Sequence, residues 1–272
     1  MSAVDEEMPL PGDVEVPPPH YVKSVEKTFA VLLAFTSAEP RLTVTQVAAR
    51  ADLSRAAARR FLLTLADLGY VRADGTFFEL TPRTLDIGAS FMANLTLPRI
   101  ADPHLKSLAA ELDETTSLCI LDQADVVYVA RVAAPRLLSV SINVGTRFPA
   151  WATSMGRVLL AGLADDELET YLASIQLRTF TDHTVSSVEE LRAAVIEARR
   201  AGWAIVSGEL EEGLRGVAVP VWRGSQVVAA LNVSLQRHRI GPADIERDLV
   251  PLLHAAARQI GDDYGGRNPN SR

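Results

Sequence analysis

Arg55, Arg59 and Arg60 follow Ser54 at spacings that place them on one face of a helix. Guanidinium groups at i, i+4 and i+5 make a compact cationic surface. Their planar donor forks suit phosphate oxygens and the guanine edge alike. Ala56 stands among them, small enough to meet a thymine methyl. The chemistry these residues offer is nucleic-acid binding, with Arg55 and Arg59 expected nearest base edges and Arg60 nearest phosphate. From Arg41 to Arg60 there are five arginines against one acid, Asp52, in a chain whose formal net charge is -7. Binding of nucleic acid by the whole surface is therefore excluded, and a local patch is required.

A second group is neutral and polar. Ser154 lies in ATSMGR, where small and hydroxyl side chains begin a helix. Exposed backbone N–H groups there suit a carboxylate. In NVS, Asn232 and Ser234 alternate onto one side of a strand. They face either a ligand or solvent, and the residues alone do not choose between these. Arg147 and Arg215 are available to offset an anionic ligand.

Catalysis finds no comparable grouping. Ser154, Ser207, Ser234, His183 and His238 show no spacing that ties a nucleophile to a base. The GxSxG elbow is absent, as are a phosphate loop and a dinucleotide fingerprint. The five histidines form no HxH or HExxH, and no CxxC occurs, so neither metal nor cofactor is expected. The single cysteine, Cys119, cannot form an intrachain disulfide and sits in the apolar run TTSLCIL, which reads as a buried thiol.

These groups need elements to hold them. Leu42 to Val71 reads as a helix-turn-helix. Thr43 and Gln46 form a capping box ahead of the first helix, and Ser54 caps the second. Ala58, Phe61, Leu62 and Leu65 recur at helical spacing as its inner face. A preceding helix over Lys23 to Ser37, with Val25, Phe29, Leu32 and Leu33 as its apolar stripe, would brace the pair. Tyr70 to Arg72 and Thr76 to Leu80, joined at Asp74-Gly75, predict a two-strand wing. Arg72 on that wing is placed for a phosphate or minor-groove contact, or is simply solvated.

Thr81-Pro82 starts a linker helix carrying Leu85, Ala89, Met92 and Leu95, and Pro98 is expected to end it. Its apolar stripe packs either on a partner subunit or on the second domain. A further helix is expected over Ile100 to Leu112. From Thr115 the period changes to that of strands. TSLCILD, VVYVARV, LLSVSI (Leu137 to Ile142), the segment from Gly202 to Val206, LRGVAVPVW and QVVAALNVSL predict an antiparallel sheet. Pro220 argues for an edge or irregular position in it. Helices are expected from Ser154, Asp165, Ser187 and Pro242. The last would bury Ile245, Leu249, Leu252 and Ala256.

The domains expected are a disordered acidic tail (1–20), a winged helix-turn-helix (21–81), a linker helix (82–97), an α+β effector and oligomerisation domain (98–262) and a flexible tail (263–272). Residues 1–19 hold five acids, five prolines and no base. No apolar run approaches 18 residues and no charged-then-apolar leader opens the chain, so the expectation is a cytoplasmic protein with no membrane contact.

The stretches LTVTQVAARADLSRAAARRFLLTLADLGYV, LTPRTLDIG, and FPAWATSMGRVLLA with GWAIVSGELEEGLRGVAVPV resemble the IclR family of bacterial transcriptional regulators. The resemblance covers roughly Tyr21 to Asp262. It is most similar to the subgroup controlling protocatechuate, 4-hydroxybenzoate and β-ketoadipate catabolism. It implies a winged helix-turn-helix, a linker helix and a GAF-like effector domain, acting on double-stranded operator DNA. It also implies homodimers made through the DNA module, dimers paired into tetramers, and a small organic acid as effector. Family effector contacts fall near Ser154, Met155, Val206, Gly216, Asn232 and Ser234. Val206 or Ser207 stands where some relatives carry an acid, and Gly216 where some carry cysteine, which leaves room for a ligand larger than glyoxylate. Ala56, Ala57 and Ala58 replace a typical polar-polar-valine run, so the arginines carry more of the DNA binding. The alternative is an enzyme or ligand sensor whose N-terminal module serves protein contacts.

Overall fold

The structure is a computed structural model that describes residues 18–36, 38–134, 142–237 and 239–265. Most of the acidic tail, most of LLSVSI, His238 and residues 266–272 lie outside the described residues. The chain divides into two compact units that part between Met92 and Ala93.

The first unit holds α1 (Lys23–Leu33), β1 (Arg41–Thr43), α2 (Val44–Arg50), α3 (Arg55–Asp67), β2 (Val71–Asp74), β3 (Phe77–Leu80) and α4 (Leu85–Asn94). The expected capping box forms. Thr43 Oγ1 accepts from the Gln46 amide, and Gln46 Oε1 accepts from the Thr43 amide at 2.9 Å. Ser54 Oγ accepts from the Ala57 amide at 3.2 Å and starts α3. Asp52, at φ 50°, makes the turn between the two helices, a conformation that aspartate tolerates better than most residues. The wing has a third strand that the sequence reading missed, because β1 pairs with β3 and gives the order β1-β3-β2.

One reading of this unit needs correction. The core face of the first helical segment is Val31, Ala34 and Phe35, while Val25, Phe29 and Leu33 are exposed. Their i, i+4, i+8 spacing marks an apolar face, but periodicity cannot say what covers it. Leu85 and Ala89 on α4 are likewise exposed; the side chain of Met92 lies outside the described residues.

In the second unit, α5 (Thr96–Leu112) begins after a break at Leu95, not at Pro98. Pro98 sits in the first turn, where a missing N–H breaks no helical bond. Strands β4 (Thr115–Asp122), β5 (Asp125–Val132), β6 (Arg147–Pro149), β7 (Ala204–Ser207), β8 (Leu214–Arg223) and β9 (Gln226–Gln236) form a six-stranded antiparallel sheet, ordered β6-β5-β4-β9-β8-β7. Pro220 fits the expectation for it. Strand β7 pairs with β8 only over Arg215 to Ala218, so Pro220 lies where β8 has no neighbour on that side. On one face of the sheet, α5 and α10 (Val250–Gly265) close a core around Leu105, Leu231, Val233 and Leu253. On the other, α6 (Ser154–Ala161), α7 (Asp165–Ser174) and α8 (Val188–Ala201) close a second core around Leu160, Leu172 and Leu191. This is the predicted α+β domain.

The C-terminal helix departs from its expected register. A short α9 (Pro242–Asp244) passes through a π turn at Ile245–Leu249 into α10. The π turn inserts one residue. Buried positions are therefore Ile245, Leu249, Leu253, Ala257 and Ile260, while Leu252 and Ala256 are only partly buried. Residues 263–265, expected in a flexible tail, are the last turn of α10.

Candidate functional site

In the first unit the cationic face is smaller and cleaner than the arginine count implies. Arg41 pairs with Asp74 and Glu79, and Arg50 with Glu39. Arg50 also donates to the Ala34 carbonyl at 2.8 Å, bracing α2 on the end of the first helix. Arg72 is bound by Glu79, with Nε to Oε1 at 2.7 Å. Arg55, Arg59 and Arg60 are exposed on α3, and no described carboxylate pairs with them. Ala56 is exposed beside them, while Ala58, Leu62 and Leu65 hold the opposite face in the core. A capped helix thus presents three guanidinium groups with no described counter-charge and one methyl on its exposed face.

In the second unit, a cavity of about 250 Å³ opens between the sheet and the start of α6. Ser154, Met155, Val206, Gly216, Asn232 and Ser234, far apart in sequence, all line it. Strand register brings them together. Val206 lies opposite Gly216, and Gly216 opposite Ser234, in a row across three strands. Asn232 is fully buried. Its Nδ2 donates to Ser154 Oγ at 3.2 Å, and its Oδ1 accepts from Ser234 Oγ at 3.1 Å. Thr153 caps α6, its hydroxyl accepting from the Gly156 amide at 2.9 Å.

Two glycines lie in close approach to their neighbours, and at Gly156 the neighbour is backbone. A Cβ on Gly216 would lie 2.7 Å from Ser154 Oγ. One on Gly156 would lie 1.9 Å from the Ala150 carbonyl oxygen, so only glycine lets the Ala150–Ala152 turn lie against α6.

Arg147 is corrected. It does not line the cavity, and its guanidinium is held by Asp122 at 2.7 Å and Asp125 at 3.1 Å. Arg215 is also engaged elsewhere, donating to Ser207 Oγ at 2.8 Å and the Ile240 carbonyl at 2.6 Å. The walls that sequence reasoning missed are Tyr128, Phe148, Phe180 and Glu209. Phe180 stacks on Trp151 with ring centroids 5.6 Å apart, and Phe148 meets Tyr128 edge-on at 5.9 Å. Tyr128 alternates inward with Val126 on β5, a signal the sequence does carry. Glu209 is held in a buried ion pair with Arg157 at 2.6 Å, across 52 residues of chain that no local pattern links.

The serines and histidines do not assemble into catalytic machinery among the described residues. Ser207 serves Arg215, Ser234 serves Asn232, and His183 Nε2 lies 2.7 Å from Arg237. No group of metal-ligating side chains occurs among the described residues, and none of their helices is long and apolar enough to cross a membrane.

A winged helix-turn-helix with a free cationic recognition helix, followed by an α+β unit with a polar-floored cavity, defines a ligand-responsive DNA-binding regulator. Known proteins give this class a family. The pattern described as the IclR helix-turn-helix domain matches residues 24–75, and that of the bacterial transcriptional regulator IclR C-terminal domain matches residues 89–262. The chain belongs to the IclR family of transcriptional regulators, which are not enzymes. It is 39% identical to the "Pca regulon regulatory protein" of Pseudomonas putida, over 89% of this chain and 84% of that one. Among solved structures, a transcriptional regulator from Rhodococcus sp. RHA1 matches with a TM-score of 0.77 and 46% identity, covering 89% of this chain and 98% of that chain. An IclR homolog from Microbacterium hydrocarbonoxydans, complexed with 4-hydroxybenzoate, matches with a TM-score of 0.75 and 26% identity, covering 88% and 98%.

Proposed function

We propose that this protein regulates genes of aromatic-acid catabolism, binding operator DNA through Arg55, Ala56, Arg59 and Arg60 and taking a small aromatic acid in the cavity of its second unit. The observation that carries the reading is the cavity itself. Its walls offer the aromatic rings of Tyr128, Phe148 and Phe180, and its floor the linked polar groups of Ser154, Asn232 and Ser234. Apolar walls with a few convergent polar groups suit a flat ring bearing polar substituents. Two relatives favour the same class, one named for the pca regulon and one solved with 4-hydroxybenzoate.

The protein acts as a homodimer, paired further into tetramers. The exposed apolar face of Val25, Phe29 and Leu33 supports a second copy as the partner of the first unit.

A gel shift of the intact protein on its own upstream DNA, with and without 4-hydroxybenzoate, tests the reading. Binding is expected to weaken steeply as salt rises, and the acid is expected to change the operator affinity. Absent or salt-insensitive binding would overturn the regulatory reading. Binding that ignores every aromatic acid offered would overturn the effector class.

A further inference from the structure

We propose that Arg131 and Ser117 form an anion-holding extension of the cavity that receives the carboxylate of the effector, while Ser154, Asn232 and Ser234 receive its other polar groups. The proposal rests on the reading of the cavity as the effector site.

Strand register builds this extension. Ser117 on β4 lies opposite Arg131 on β5 and opposite Asn232 on β9. Residues of one such row project from the same face of a sheet. Asn232 is bonded to Ser154 of α6, so that face is the cavity side. A bulge between Leu118 and Cys119 sets Cys119 opposite Tyr128, although Leu118 lies opposite Ala130. Without it Tyr128 and Arg131, three residues apart, would point to opposite faces. With it both point to the cavity side, and re-aiming a side chain in this way is what bulges do. Arg131 and Ser117 do not line the 250 Å³ cavity themselves; they adjoin Tyr128 and Asn232, which do.

Both groups lack partners. Ser117 is fully buried, and its Oγ has no hydrogen bond. Nη1 of Arg131 is buried and also has none. No described carboxylate pairs with this guanidinium. Arg157 and Arg215 are more deeply buried and are bonded to Glu209 and to Ser207 with Ile240, although Nε of Arg157 is also without a partner. The ionisable groups acting on Arg131 are Tyr128 and Cys119, and burial pushes both of these up, so they are neutral at pH 7. Burial also draws Arg131 below its ordinary value, the mark of a charge without compensation.

A half-buried guanidinium with one buried, unpartnered nitrogen and no described counter-charge is costly, and a ligand carboxylate would supply the anion it lacks. The donors suit a carboxylate in particular. The guanidinium fork takes both of its oxygens, and the Ser117 hydroxyl can donate to one of them. Arg131 and Asn232 stand two strand spacings apart, about 10 Å at the backbone. A ring carrying a carboxylate at one end and a hydroxyl at the other can engage both.

Calorimetry on the intact protein with 4-hydroxybenzoate and its neutral analogue 4-hydroxybenzamide tests the assignment. Arg131→Gln is expected to lose roughly tenfold or more in affinity for the acid, as removal of a charge-assisted hydrogen bond does, and to bind the amide as the wild type does. Retained amide binding shows that the variant is folded. Ser117→Ala removes only an unpartnered hydroxyl and keeps the assignment testable should Arg131→Gln not fold. It is expected to lose affinity for the acid and none for the amide. If the wild type binds the acid and the folded variants bind it equally well, the carboxylate lies elsewhere and this proposal falls while the effector reading stands. If the wild type binds neither compound nor other benzoates, the effector reading falls and takes the proposal with it.

Discussion

At the scale of single residues, the proposed DNA-binding face rests on Arg55, Arg59 and Arg60, which no described acid neutralises. Arg41, Arg50 and Arg72 pair with Asp74, Glu39 and Glu79, with the Arg72 side chain still largely exposed on the wing. Arg59→Ala is expected to cost about 1–3 kcal/mol of operator binding, and more on the cognate site than on random DNA. Fluorescence anisotropy on both DNAs checks this, and equal losses would reduce Arg59 to a phosphate contact. Ala56 and Ala57 offer no side-chain hydrogen bonds, so a contribution of groove shape to the discrimination is expected. In the second unit, the buried pair of Arg157 and Glu209 holds a cavity wall. Glu209→Gln leaves Arg157 buried and uncompensated, and is expected to destabilise the fold by about 3–5 kcal/mol. Denaturant unfolding measures it. An unchanged midpoint would mean that water reaches the pair.

At the scale of elements, local rules made some features legible and long-range ones hid others. The caps at Thr43 and Ser54 formed as expected because each is decided within four residues. Pro220 announced an unpaired stretch of β8 because a missing N–H is a local fact. Strand β1 was hidden because three residues carry no period and take their identity from β3. The outward face of the first helix looked like a core face because amphipathicity does not name its partner. Of the candidate site, Ser154, Asn232 and Ser234 stood out as polar groups in apolar surroundings, whereas Glu209 and Arg131 acquire their meaning only from strand and loop partners. The C-terminal helix offers a direct test of a structural correction. The π turn places Leu253 in the core and turns Leu252 partly out. Leu253→Ala is expected to cost about 2–5 kcal/mol, and Leu252→Ala clearly less. Thermal unfolding of the two variants decides it, since an uninterrupted helix predicts the reverse order.

At the scale of the whole molecule, the charge balance frames how DNA binding succeeds at all. The chain carries a formal net charge of -7, so long-range electrostatics oppose approach to a polyanion. Three free guanidinium groups on one α3 make a small footprint against that background. Two copies double the footprint, and linking them makes the second contact intramolecular. The exposed face of the first helix fits this need. Val25, Phe29 and Leu33 follow one another at single-turn spacing, and Phe29 is 47% exposed at its centre. Burying the exposed half of this side chain contributes about 1 kcal/mol, and a symmetric contact buries it twice. A carboxylate in its place would be desolvated in such a contact. Phe29→Glu is therefore expected to lower the assembly by one level in sedimentation velocity and to weaken operator binding severalfold or more. Binding of 4-hydroxybenzoate should be unchanged, because the cavity lies wholly in the second unit. An unchanged mass together with unchanged operator affinity would show that the partner of this face is not a second copy. A fall in operator affinity at unchanged mass would point instead to a role for this face within one copy, in holding α3 against the groove.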